Sequence, residues 1–371
     1  MAESPLPIHA KVLTELDAAW REPSAGARLE AVRRAAPRLR DRIVASGKAL
    51  SVRTFDNASI LYPTTFGLSG LAMSPSPYLV MTNRANLVVF RAGGETKTLL
   101  FNPTDVERSA QTPFFVELRK KLGELVATRL VAAYVRPALH AQLAGMGFDP
   151  ADVDYVAFDH LHTQDLREIL GTDSLRAYYP RAKLLVWRPE LELVRVLHPL
   201  QRPWYIDGAL AGVADEKVVA CDGDLLLGDG VALVRTPGHT VGNWSLVLST
   251  DRGLWTVSEN AIASECWAPE TSRIPGVAKG ARKNGLEVVL NANTLEMKNE
   301  QYTSMLLEKA LADRVPDAPE IPQCFPSSEL TATPVPLGVS PSFVHGGIEH
   351  GPLVLRPRAH GGAATEARST A

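Results

Sequence analysis

Apolar positions change their spacing several times along this chain, and each change predicts an element. Over 8–47, Val12, Leu13, Leu16, Ala19 and Trp20 recur near helical intervals. Ala27 to Val44 is rich in alanine and arginine, both strong helix formers. A helical N-terminal extension over 1–50 is the expectation. From about residue 52 the texture turns to short β-rich runs: SVRTF, PYLVMT, NLVVFRA and KTLLFNP, with Gly93-Gly94 as the hairpin turn before the last. A helical block over 113–143, interrupted near Pro137, leads into the apolar strand VDYVAF. Leu166–Leu170 starts another helix and AKLLVW (182–187) is another strand. Residues 217–236 read as a β-meander of KVVACDGD, LLLGDG and VALVRTP. WSLVLST and GLWTVSE flank a turn at Asp251-Arg252-Gly253, and 297–313 form a helix.

Beyond Val315 prolines are frequent and no element is assigned. The mixture of hairpins, strands and helices predicts an α/β fold with mixed or antiparallel sheets rather than a doubly wound parallel one. The expected organisation is an extension (1–50), one large domain (51–358) and a disordered tail (359–371).

Composition narrows the partners. A net charge of −2 gives no electrostatic case for nucleic acid or an anionic membrane. No run reaches the roughly 18 apolar residues of a membrane span, and the N-terminus lacks the basic-then-apolar pattern of a secretory signal. The cysteines Cys221, Cys266 and Cys324 are odd in number and far apart. That spacing suits a reducing compartment, so a cytoplasmic location is expected. The partners expected are a small-molecule substrate and, through the N-terminal helices, a second copy in a homodimer.

Histidine carries the candidate chemistry. His160 and His162 form H-x-H at a strand end, where residues i and i+2 point the same way and can meet one ion. Asp165 follows at a helix start, where a carboxylate is also favoured by the helix dipole. His239 stands in Thr236-Pro237-Gly238-His239-Thr240, a tight turn after a strand. Ser258-Glu259-Asn260 offers a carboxylate at a further strand end. A carboxylate such as Asp159 could orient a histidine ring, but by strand alternation Asp159, next to His160, is expected on the opposite face. Phosphate-binding glycine patterns and C-x-x-C are absent. Cys221 reads as core, and Cys266 as a lesser candidate for the pocket wall.

The order strand–HxH, strand–TPGHT, strand–carboxylate resembles the metallo-β-lactamase superfamily over about residues 78–330. VACDGDLLLGDGVALVRTPGHTVGNWSLVLST is the most specific segment, and FDHLHTQD is similar to the family's H-x-H-x-D-H. The resemblance implies an αβ/βα four-layer sandwich with metal at one edge between two β-sheets. It further implies one or two divalent ions, zinc first and iron or manganese otherwise. His160, His162 and His239 would bind the first ion, with Glu259 bridging. Asp165, Glu259 and either His345 or His350 would serve a second.

The departures are Gln164-Asp165 in place of D-H, Glu259 in place of a bridging Asp, Asn243 in TVGN, and Ser327-Ser328 near the position of the last His. The activity implied is hydrolysis of an ester, lactone, amide or phosphoester by metal-activated water, with Asp165 orienting that water or accepting a proton. An iron-dependent oxidoreductase and a ligand-binding member without catalysis are the alternatives. Loops like HPLQRPWYIDG cover the metal in this family, which makes Trp204 and Tyr205 the expected substrate contacts.

Overall fold

A computed structural model describes residues 5–7, 9–123, 136–292, 297–332 and 338–355. The strands in chain order are β1 (Lys11–Leu13), β2 (Ser51–Pro63), β3 (Tyr78–Ala92), β4 (Glu95–Phe101), β5 (Tyr155–Ala157), β6 (Lys183–Trp187), β7 (Val218–Cys221) and β8 (Asp224–Gly228). They continue as β9 (Val231–Arg235), β10 (Trp244–Thr250), β11 (Gly253–Ser258), β12 (Arg314–Val315), β13 (Ala318–Pro322), β14 (Cys324–Pro326), β15 (Ser328–Thr331) and β16 (Glu349–His350). One sheet runs β16-β2-β3-β4-β5-β6-β7, with β15 added on β3; the other runs β1-β8-β9-β10-β11-β14. β12 and β13 form a separate ribbon. The fold is mixed α/β: β4 to β7 are parallel and most other pairings antiparallel.

Strand alternation explains how the layers are held. Val88 and Phe90 of β3, Leu99 and Phe101 of β4, Leu185 of β6 and Val219 of β7 enter one core. Val231 and Leu233 of β9 and Leu246 and Leu248 of β10 meet them from the other sheet. The alternate residues, Leu87, Leu100, Val156, Leu184 and Val218, face away and pack on Leu139, Leu143, Ile169 and Leu191. These come from the helices Leu139–Gly145, Arg167–Leu170 and Arg188–Arg195. On the second sheet Ala232, Val234 and Val247 pack on Val32, Ala36, Leu39 and Ile43 of the helix Ala25–Ala45, and on Leu307 and Leu311 of the helix Lys298–Leu311. Both faces of the central strands are therefore buried, which is why they read as unbroken apolar runs.

Several expectations need correction. Residues 11–13 are not helical; β1 pairs antiparallel with β8 and completes a sheet edge, leaving Val12 half-exposed and Leu13 buried. The meander over 217–236 is split between sheets: β7 pairs in parallel with β6, whereas β8 and β9 belong to the other sheet. Gly223, at φ 99°, turns the chain between them. PYLVMT and NLVVFRA are one strand, because the polar Arg84 between them is paired with Asp56 and Glu329. The region after Val315 carries four strands wholly or in part. The helical block resolves into Pro113–Leu122 and Leu139–Gly145, and residues 124–135 between them, like the tail 359–371, lie outside the described residues. Among the described residues, no helix is long and apolar enough to cross a membrane.

Candidate metal centre

Two loops, one from each large sheet, build the centre. β5 ends at Ala157, and the chain then delivers His160 and His162. His239 comes from the turn after β9. Backbone and side chain of Trp244 join the loops: its N–H donates to Asp159 O at 3.0 Å and its Nε1–H to Phe158 O at 2.5 Å. The three histidines are buried, and each offers a ring nitrogen lying within 4.8 Å of the other two. Their ring centroids are 4.6 Å (His160–His162), 4.5 Å (His160–His239) and 5.3 Å (His162–His239) apart.

Glycine makes the second loop possible. A Cβ on Gly238 would stand 2.2 Å from the backbone nitrogen of Gln301, and its φ of 138° is itself one that side chains rarely adopt. The close approach lets Ser304 Oγ donate to Pro237 O at 2.7 Å. After His162 the chain turns through Thr163 at φ 62°, an uncommon conformation for a β-branched residue, and Thr163 N–H donates to Trp204 O at 2.8 Å.

The electrostatics keep two rings neutral. Burial, then the neighbouring His160 and His239, hold His162 well below the usual imidazole range. Burial and His160 lower His239 to about 3. Asp159 sits against His160: its Oδ1 lies 2.7 Å from Nδ1 and accepts from the His160 backbone N–H at 2.8 Å. Its Oδ2 accepts from Asn102 Nδ2 at 2.9 Å. Burial alone would raise this carboxyl, but the charge and hydrogen bond of His160 and the Asn102 bond keep it lowered. With Nδ1 occupied, His160 has Nε2 left for an ion. His162 Nδ1 is buried without a hydrogen-bond partner. Three imidazoles, two held neutral and one backed by a carboxylate, are a donor set that fits zinc, iron or manganese.

The other sequence candidates fall elsewhere. Asp165 is taken up by Arg167, whose Nε donates to Oδ1 at 2.9 Å, and it stands outside the histidine group. Glu259 is buried on the wall of the same cavity as the histidines, but it too lies outside their cluster. Burial and the Asp159 charge push it well above the usual carboxyl range. His345 is packed on Trp255, Phe325 and Phe343, with Nε2 at 3.1 Å from Cys324 O. His350 Nε2 lies 3.0 Å from Ala49 O. Neither is brought to the centre, because the C-terminal segment runs along β2 instead of returning to the loops.

Trp204 lines the cavity, its ring 5.9 Å from that of His162. Tyr205 is buried behind His162, ring to ring 4.6 Å, so it supports the histidine rather than facing a substrate. Cys266 lies in a separate core.

Sequence reasoning set one residue aside and missed another. Asp159 was assigned the wrong face, and Glu190 carried no signal beyond its place in the first turn of a helix. Glu190 is buried and accepts from Leu161 N–H at 2.8 Å, Tyr205 Oη at 2.9 Å and Thr240 Oγ1 at 2.7 Å. It thus ties both histidine loops and the Trp204-Tyr205 loop to one carboxylate. The centre opens on a cavity of about 370 Å³ whose wall includes Asp159, His160, His162, His239 and Glu259.

No family model matches the chain. Among solved structures it is similar to a probable metal-dependent hydrolase from Staphylococcus aureus, with 13% identity, 69% of this chain and 82% of that one covered, and a TM-score of 0.47. It is also similar to a dizinc quorum-quenching lactonase in complex with its product, at 12% identity over 84% of this chain and 99% of that one, TM-score 0.47. A third is a quorum-quenching N-acyl homoserine lactone lactonase, at 17% identity over 64% and 87%, TM-score 0.44.

Proposed function

We propose that the protein is a metal-dependent hydrolase acting on an ester, lactone, amide or phosphoester, with His160, His162 and His239 holding one divalent ion. The observation that carries this is the convergence of three buried imidazoles on one point at the wall of a ligand-sized cavity. A divalent ion held there supplies a Lewis acid and makes water acidic enough to ionise near neutral pH.

The chain's own residues do the rest. Asp159 fixes the proton of His160 on Nδ1 and orients the ring. Glu190 fixes the spacing of the two histidine loops. Glu259 stands on the wall of the same cavity, its carboxyl pushed up by burial and by the Asp159 charge. Zinc is the metal we favour. Three free, buried cysteines support a cytoplasmic setting.

Elemental analysis of protein purified without added metal tests the reading, with His239→Ala beside the wild type. About one equivalent of zinc, lost in the variant, is the expected result. Iron in its place would redirect the search to oxidative chemistry. No metal in either protein after reconstitution with zinc, iron and manganese would overturn it.

A further inference from the structure

We infer that the substrate carries an uncharged apolar tail, an acyl or alkyl chain, seated between the helix Pro113–Leu122 and β2, with its reacting group at the histidines. This rests on the hydrolase reading for the identity of the reacting group. The tail assignment stands on the cavity itself. The helix is two-faced: Phe114, Phe115, Leu118 and Leu122 line the cavity, whereas Glu117, Lys120 and Lys121 point to solvent. Leu118 packs on Leu61 and Val80, which fixes the helix over the sheet. Phe114 and Phe115 remain partly exposed, and the space they border is the cavity.

An aromatic path joins the two ends. Trp204 stacks on Phe114 with ring centroids 4.4 Å apart and planes 26° from parallel, and its ring also lies 5.9 Å from His162. Among the described lining residues the carboxylates are Asp159 and Glu259, and the helix contributes one cation, Arg119. A substrate that is charged along its length would leave those charges unpaired against aromatic and aliphatic side chains, at a desolvation cost. An uncharged chain gains from the same wall in proportion to the area it buries.

The test is a calorimetric titration of straight-chain hydroxamates, from acetyl to decanoyl, into zinc-loaded and metal-free protein. Affinity should rise roughly three- to fourfold per added methylene until the cavity is full. Phe115→Ser removes part of the wall and Ala58→Phe fills the space. Each should flatten that slope, provided its thermal melt shows it folded. Two variants with opposite volume changes keep the test alive if one fails to fold. A flat series in the wild type, or an undiminished slope in the folded variants, overturns the tail assignment. Chain-length dependence in metal-free protein that never binds zinc would sink the hydrolase reading and leave the ligand class standing. Zinc-dependent hydroxamate binding without chain-length dependence would do the reverse.

Discussion

Asp159 decides how His160 presents itself. Its carboxylate accepts from both the ring and the backbone of the same residue, a contact that alternation along a strand would forbid. The rule fails because β5 has already ended at Ala157, so residues 159 and 160 lie on a bend and no longer point to opposite faces. Asp159→Asn keeps the size and removes the charge. Zinc affinity should fall ten- to a hundredfold, the usual scale for such an orienting partner, in competition with a chelating dye. An unchanged affinity would show that the contact does not orient the ring. The histidines themselves were legible, because H-x-H and T-P-G-H-T are local patterns with local consequences. Asp165, His345 and His350 were not, because their fates depend on Arg167, Trp255 and Ala49, partners that no spacing rule supplies.

At the scale of elements, the short helix Arg188–Arg195 does the bracing. Its Glu190 accepts three hydrogen bonds from three loops, and the fit is close enough that a Cβ on Gly242 would stand 2.3 Å from the Glu190 backbone nitrogen. Glu190→Ala leaves the Leu161 amide and the Tyr205 and Thr240 hydroxyls without that acceptor. A loss of about 2–4 kcal/mol is expected in urea denaturation, since each buried donor left unmade costs roughly 1–3 kcal/mol and part is recovered by water. Glu190→Gln, which keeps an acceptor, should lose less than half of that; equal losses would argue against a hydrogen-bonding role. Elements read well where periodicity ran long, as in the helix Ala25–Ala45 and in β10 and β11. They failed where pairing was settled by distant chain: β1 is a strand only because β8 offers an edge, and β7 looks continuous with β8 until the sheet partner of each is known.

For the whole molecule, burial of titratable groups sets the response to acid. Burial lowers His345 to about 4 against 6.5 for a free imidazole, while its backbone N–H donates to Glu329 Oε1 at 2.9 Å and Arg84 faces it. The unfolded chain therefore takes up a proton near pH 6.5 that the folded chain refuses until about pH 4. The contribution is complete above 6.5 and is lost as pH falls through that window, a decline of up to roughly 3 kcal/mol. In His345→Gln the decline should be shallower by that amount when urea midpoints are followed from pH 7 to 4. Glu329, raised by burial, acts with the opposite sign but is present in both proteins, so the difference isolates the histidine. Parallel curves for the two proteins would refute the assignment.

The origin of the histidines in two separate sheets bears on the order of events during synthesis. A ribosome-bound fragment ending before β9 owns His160 and His162 but nothing to close over them. The complete ligand set comes into being only when the second sheet has docked on the first. Capture of an ion by all three imidazoles is therefore a late event that reports a finished fold.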